Sequence, residues 1–277
     1  MTYDPFRLTV ADFKTAISFE KANEQATAER LLTYYYGIHS LQQKEYRNPV
    51  SMLRSALQKD RSLLLELPLA SKEIDALCFQ NKDMKYTLLN SAQPKIYTNY
   101  TLCRTFFYLS INQNPTTAKV KPFYHIHSYN QPDNLRAATF THLFLLPEAS
   151  LRSMFYHFFT EQQKEDSTLT ILVKLMNYYE VPYQPLLIRC YSLGLLDSGE
   201  TLEELLRVDF PRIQAEFHRL WLDESLLQPT MRDDFSRLEQ LVKSSGETYI
   251  QEEYLKQKTL QLALSNMKNI YLDIREG

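Results

Sequence analysis

The chain has 277 residues, of which 44% are hydrophobic and 23% charged, with a formal net charge of -2. That is room for one large domain, or one domain with an appendix, of ordinary globular composition. The balance excludes a broad electrostatic grip on nucleic acid or an anionic membrane.

There are five glycines, where average usage would give roughly 19. No G-x-G-x-x-G, G-x-x-x-x-G-K-[ST] or G-x-S-x-G can be written, which removes the phosphate-cradling loops and the nucleophile elbow. No apolar run reaches the ~20 residues of a membrane helix. Met1 to Pro5 lacks the basic and apolar regions of a signal peptide. A cytoplasmic protein with no membrane partner is expected. Cys78, Cys103 and Cys190 are odd in number and far apart, so reduced, buried thiols are expected.

In chain order, Thr9-Val10-Ala11-Asp12 reads as a capping box. The helix it opens carries Phe13, Ile17, Phe19, Ala22, Ala26 and Leu31 at helical spacing and is expected to end near Tyr36-Gly37, with glycine as the left-handed cap. Asn48-Pro49 starts a helix to about Lys59, with Met52, Leu53, Ala56 and Leu57 as its stripe. A short apolar run from Ser62 to Leu69 follows. Asp75–Phe79 and Tyr86–Asn90 read as strands around a turn at Asn81-Lys82-Asp83.

Helix returns from about Tyr100 to Ile111, then a loop to Lys121 and an extended stretch from Phe123 to Tyr129. From Asp133 onward the pattern is almost wholly helical. Helices are expected from Ser167 or Thr168, from Pro182 to a stop at Gly194, from Pro211 to Leu222, from Met231 to Lys243 and from Thr248 to Ile274. The fold class is α+β, mainly helical, with a small β-sheet and a helical C-terminal part. The last helix carries Ile250, Tyr254, Leu264, Met267, Tyr271 and Ile274, a stripe that also makes it a candidate homodimer element.

One segment carries a chemical signal. Tyr100-Thr101-Leu102-Cys103-Arg104-Thr105-Phe106-Phe107-Tyr108 resembles the active-site helix of the ImmA/IrrE family of zinc metallopeptidases, F-T-L-A-H-E-L-G-H. Three further stretches resemble that family in the same order: the two strands ending at Asn90, the run Asn134 to Glu148, and Val181 to Leu196. The resemblance implies a zincin-like active-site helix. It divides the chain into a helical extension (1–27), a (pseudo)peptidase domain (28–197) and a helical C-terminal region (198–277).

In such a site, two His on consecutive helical turns bind zinc, a Glu beside the first takes the proton from metal-bound water, and a further Glu completes the ligand set. Here Arg104, Thr105, Tyr108 and Asn134 stand at those positions, and Phe107 at the family's glycine. Arginine is a permanent cation and never a zinc ligand. The resemblance therefore implies a degenerate site without zinc or any other cofactor. The substitutions leave two readings of Arg104: its guanidinium takes the metal's place against the Asn134 carbonyl, or it is a solvated helix residue.

The implied function is a catalytically inactive pseudo-peptidase that regulates through a protein partner, the family's partners being helix-turn-helix repressors of mobile elements. Phe107, His125, His127 and His142 form the candidate binding surface. Two rival readings stand beside this one. An active metallopeptidase would use His125, His127 and His142, since His125-Ile126-His127 puts two imidazoles on one face of a strand. A small-molecule sensor would be built on the dead site. Tyr183 to Leu196 has the outline of a helix-turn-helix, but Arg189 is its one basic residue, so direct nucleic-acid binding is not expected. Most of the aromatic clusters, such as Tyr34-Tyr35-Tyr36 and Phe155 to Phe159, are expected in the core.

Overall fold

A computed structural model describes residues 8–38, 49–59, 62–71, 73–80, 85–111, 119–124, 132–161, 166–196 and 201–276. The first helix, α1 (Val10–Ile38), begins where the capping box places it: the Asp12 amide donates to Thr9 Oγ1 at 3.1 Å, and the Thr9 hydroxyl donates to the Asp12 carboxylate at 2.6 Å. It runs to Ile38, beside the expected end at Tyr36-Gly37. It also crosses residues 27 and 28 without a break. The second helix, α2 (Pro49–Lys59), starts on its proline.

The strands are β1 (Leu63–Leu67), β2 (Ile74–Gln80), β3 (Lys85–Asn90) and β4 (Lys119–Tyr124). Their order is β1-β3-β2-β4, with β1 parallel to β3 and the other two pairings antiparallel. Residues 81–84 and 125–131, which hold the expected turn and most of the extended stretch after Phe123, lie outside the described residues.

One face of the sheet carries α3 (Lys95–Ile111), which starts five residues earlier than expected. Pro94 begins it: the Thr98 amide donates to the Pro94 carbonyl, and the Lys95 amide is satisfied by Gln228. Ala76, Cys78 and Leu89 from the sheet meet Leu102, Cys103 and Phe106 in the main core. The opposite face buries Leu67, Leu69, Ile74 and Leu88 under Phe235 and Tyr271.

Seven further α-helices follow among the described residues: α4 (Pro132–Leu145), α5 (Glu148–Thr160), α6 (Thr168–Tyr179), α7 (Tyr183–Ser192), α8 (Thr201–Leu206), α9 (Phe210–Arg219) and, after a 3-10 turn at Glu224–Leu227, α10 (Phe235–Gln251). An eighth, α11 (Gln257–Glu276), is the last. The architecture is α+β and mainly helical. Gly194, at φ +67, closes the turn after α7 as glycine should. The single helix expected from Thr248 to Ile274 is instead two, broken around Glu253, whose φ of 63 is left-handed without a glycine to announce it.

The C-terminal region is tied back to the sheet. The Met231 amide donates to Ser91, Asp234 donates to the Glu66 carbonyl, and the Glu66 amide donates to the Asp234 carboxylate. The main core runs from Leu8 to Leu227 and includes Phe13, Phe106, Phe140, Leu187 and Phe217.

α10 and α11 form an antiparallel pair. Phe235 stacks on Tyr271 at 3.9 Å between ring centroids, and Gly246 lets Leu260 approach so closely that a Cβ at 246 would lie 2.3 Å from its methyl carbon. Gly246→Leu is expected to cost about 1–3 kcal/mol by overpacking this crossing. Hydrogen exchange should quicken across 257–276 while α3 keeps its protection.

Candidate functional site

The α3 face that carries the sequence signal points inward. Arg104 is 4% exposed, and its Nη1 lies 3.7 Å from Asp75 Oδ2, an ion pair longer than a hydrogen bond. A bulge in β2 explains why Asp75 is there. Ile74 pairs with Tyr124 of β4 and Ala76 with Phe123, so Asp75 is the extra residue between them. A bulge breaks the alternation of a strand and re-aims one side chain. Asp75 and Ala76 are accordingly both buried. Gln93 Nε2 donates to the other Asp75 oxygen at 2.5 Å. The guanidinium also sits 5.5 Å from the Phe123 ring centroid, a cation–π distance.

Around this pair lie groups from three elements. Lys121 of β4 stands over the Tyr108 ring at 5.0 Å and the Phe123 ring at 5.7 Å. Burial lowers the Lys121 pKa and Arg104 lowers it further, against the opposing pull of Asp133. Burial raises the Tyr108 phenol above its usual range, helped by Cys78 and Asp133, so the ring stays neutral near physiological pH. Thr105 is fully buried, and its hydroxyl donates to the Leu102 carbonyl at 2.8 Å. The Cys78 thiol is pushed up to about 12 by burial, which leaves it inert. Phe107 is half-buried and packs on Phe140 of α4 at 5.1 Å. Asn134 is half-buried in the first turn of α4.

Zinc, the metal of the family that the sequence resembles, does not fit the residues that the resemblance aligns with its ligands. A permanent cation holds the first ligand position and is itself paired. A neutral phenol holds the second, a neutral amide the third, and the base position is a hydroxyl already spent on a carbonyl. The carboxylate that faces Arg104 is Asp75.

His125 and His127 lie outside the described residues. His142 is a core residue, 1% exposed, and not part of a surface. Both of its ring nitrogens are engaged: Nε2 with the Tyr100 hydroxyl at 2.9 Å, Nδ1 with Glu20 Oε2 at 2.5 Å. Among the described residues no group of three or more His, Cys, Asp or Glu is arranged to hold a metal ion.

Glu20 is the hub of that arrangement. Its Oε1 accepts from Arg189 Nη1 at 2.9 Å and from the Ser192 hydroxyl at 2.5 Å. Arg189, the basic residue of the helix-turn-helix outline, is likewise 1% exposed, with Glu24 2.9 Å from its Nη2. Burial alone would raise the Glu20 pKa. His142, Arg189 and Ser192 together outweigh it and hold the carboxyl down to about 2.

The sequence reading missed Asp75, Gln93, Glu20 and Arg189 as members of these clusters. A signal existed: Glu20 lies seven residues after Phe13 and four after Ala16, on the buried stripe of α1, and Arg189 sits between Ile188 and Cys190. A charge on an apolar stripe points to a buried partner.

Two predictions follow from the chemistry of buried pairs. Arg104→Met should cost about 3–5 kcal/mol in urea denaturation because it leaves Asp75 short of its cation, and adding Asp75→Leu should recover most of that loss. Glu20→Gln should destabilise by a comparable ~3–5 kcal/mol. Because the Glu20 carboxyl is depressed from 4.5 to about 2, its contribution is complete above pH 4.5 and is lost as pH falls toward 2. Glu20→Gln should flatten that limb of the stability profile.

Comparison with known proteins assigns no family: no protein-family model matches the chain, and no curated protein matches it.

Proposed function

We propose that this chain is a non-catalytic, partner-binding regulator of the ImmA/IrrE-like type, a pseudo-peptidase whose former metal position is held by a protein cation. The observation that carries this reading is the buried Arg104–Asp75 pair on α3, at the place where the resemblance puts the first zinc-binding histidine. A guanidinium fixed there repels a divalent ion, and the neighbouring Thr105 and Tyr108 offer neither a base nor an anionic ligand. The engagement of both His142 nitrogens weighs against a metal centre displaced onto His125, His127 and His142.

On this reading the protein binds a protein partner, a helix-turn-helix repressor being the class the resemblance names, and acts by occupancy. The edge strand β4 beside α3 provides the adjoining surface. The final helical pair is the candidate dimer element. No described helix is long and apolar enough to cross a membrane.

The test is metal content and partner chemistry together. Purified protein should carry far less than one zinc per chain, and its melting curve should not move on chelation. Mixed with the repressor encoded nearest to it, it should form a stoichiometric complex in which mass spectrometry finds both chains intact. About one zinc per chain with chelator-sensitive stability, or a cleaved repressor, would overturn the reading.

A further inference from the structure

Residues 84–132 contain no aspartate or glutamate, in a chain that carries 33 acidic residues, whereas Lys85, Lys95, Arg104, Lys119 and Lys121 all fall inside that range. The stretch builds β3, α3 and β4. Folding brings two of its cations to one place. Lys121 of β4 lies over the Tyr108 ring at 5.0 Å and the Phe123 ring at 5.7 Å, and the Arg104 guanidinium is 5.5 Å from the same Phe123 ring. Among the described residues β4 ends the sheet, with β2 on one side and no strand on the other. Val120, next to Lys121, is 63% exposed.

The two cations differ in what balances them. Arg104 has Asp75 at 3.7 Å, and Asp75 also accepts from Gln93. Lys121 is half-buried, and among the described residues it has neither an ion pair nor a hydrogen bond. Its contacts are two aromatic faces, which attract a cation without neutralising it. Burial lowers its pKa, Asp133 partly opposes that, and Arg104 lowers it further. Asp133 itself lies 3.5 Å from Arg136. A lysine placed on an edge strand only to deter sheet pairing holds its ammonium in water. Lys121 instead gives up part of its hydration and gains no anion in return. The Tyr108 hydroxyl, on the ring that Lys121 covers, also has no hydrogen bond among the described residues, and its phenol stays protonated and able to donate.

A half-desolvated ammonium, a phenol donor and a buried guanidinium charge, in a segment free of acids, call for an anion. A carboxylate fits because its two oxygens take the ammonium and the phenol separately. On a strand edge a free anion has only these contacts, whereas one carried on a protein segment adds the contacts of its neighbours. Resting on the partner-binding reading above, we propose that Lys121 and Tyr108 dock an aspartate or glutamate side chain of the protein partner at the edge formed by β4 and α3. The carboxylate pairs with Lys121 Nζ and accepts from the Tyr108 hydroxyl, and the Arg104 charge adds attraction without contact.

The full chain, its lysines converted to carbon-labelled dimethyl-lysine so that each keeps its charge, is titrated at low salt with the peptide acetyl-Gly-Glu-Gly-Glu-Gly-amide and with its glutamine version. Lys121→Arg identifies the Lys121 resonance by its loss. A saturable shift of that resonance with the glutamate peptide, absent with the glutamine peptide, is expected. No saturable shift, or equal shifts from both peptides, would overturn the proposal. Succinate and inorganic phosphate are titrated in parallel and should bind more weakly than the peptide; equal or tighter binding would make this a site for a free anion and overturn the assignment to a partner.

By calorimetry Lys121→Gln should weaken the glutamate peptide about tenfold, and Tyr108→Phe about threefold. Unchanged affinity in either variant overturns the proposal. The Tm of Lys121→Gln should be unchanged or higher, because a desolvated cation is removed; a lower Tm would make Lys121 a structural residue and refute the argument. The repressor complex separates this site from the reading it rests on. A complex undiminished by Lys121→Gln would remove the docking site and leave the partner reading intact. No complex with either chain, alongside glutamate-peptide binding, would remove the repressor and leave the carboxylate site standing.

Discussion

The carboxylate of Glu20 is the constraint around which the helical half of this molecule is organised. It lies in the core, yet it is ionised, and an ionised group there demands partners. They come from two other helices: His142 from α4, Arg189 and Ser192 from α7. His142 passes the chain of hydrogen bonds on to Tyr100 of α3. Four helices that are remote in sequence are thereby required to meet at one point. Slide α1 by a turn and Arg189, the largest of the fully buried side chains, loses the carboxylate it shares with His142. Apolar packing tolerates many registers of comparable free energy, whereas a buried network satisfied in one geometry tolerates few.

The Arg104–Asp75 pair does the same work one turn further along α3. The bulge in β2 turns Asp75 out of the strand's alternation and toward the helix, so sheet and helix are keyed by charge as well as by Ala76, Cys78 and Leu89. α3 carries both keys, with Tyr100 directed to the Glu20 network and Arg104 to the sheet. They sit one helical turn apart. Tyr100 and Arg104 are both buried, at 2% and 4% exposed.

Much of the secondary structure was legible because it depends on neighbours in sequence. Thr9 with Asp12, Pro49 after Asn48, the alternation of β2 and β3, and Gly194 after α7 each act within one turn or one strand. The one long helix expected at the end of the chain is interrupted for a reason that is not local. The break between α10 and α11 falls on Glu253, a residue with no local preference for a left-handed backbone. There the pairing of Phe235 with Tyr271 and of Gly246 with Leu260 turns the chain back.

The sequence by itself determined the class of the fold, most element positions and the absence of glycine-rich phosphate loops. Those are properties of composition, periodicity and order, and need no knowledge of distant contacts. Only the tertiary structure decided that His142 is a core residue rather than a surface ligand, that Arg189 faces carboxylates rather than solvent, and that Arg104 meets Asp75 between helix and sheet. The physical reason is that the state and role of a charged side chain are set by burial and by the charges around it. Both come from segments tens to more than a hundred residues away, such as Glu20 and Arg189, which only folding brings within reach.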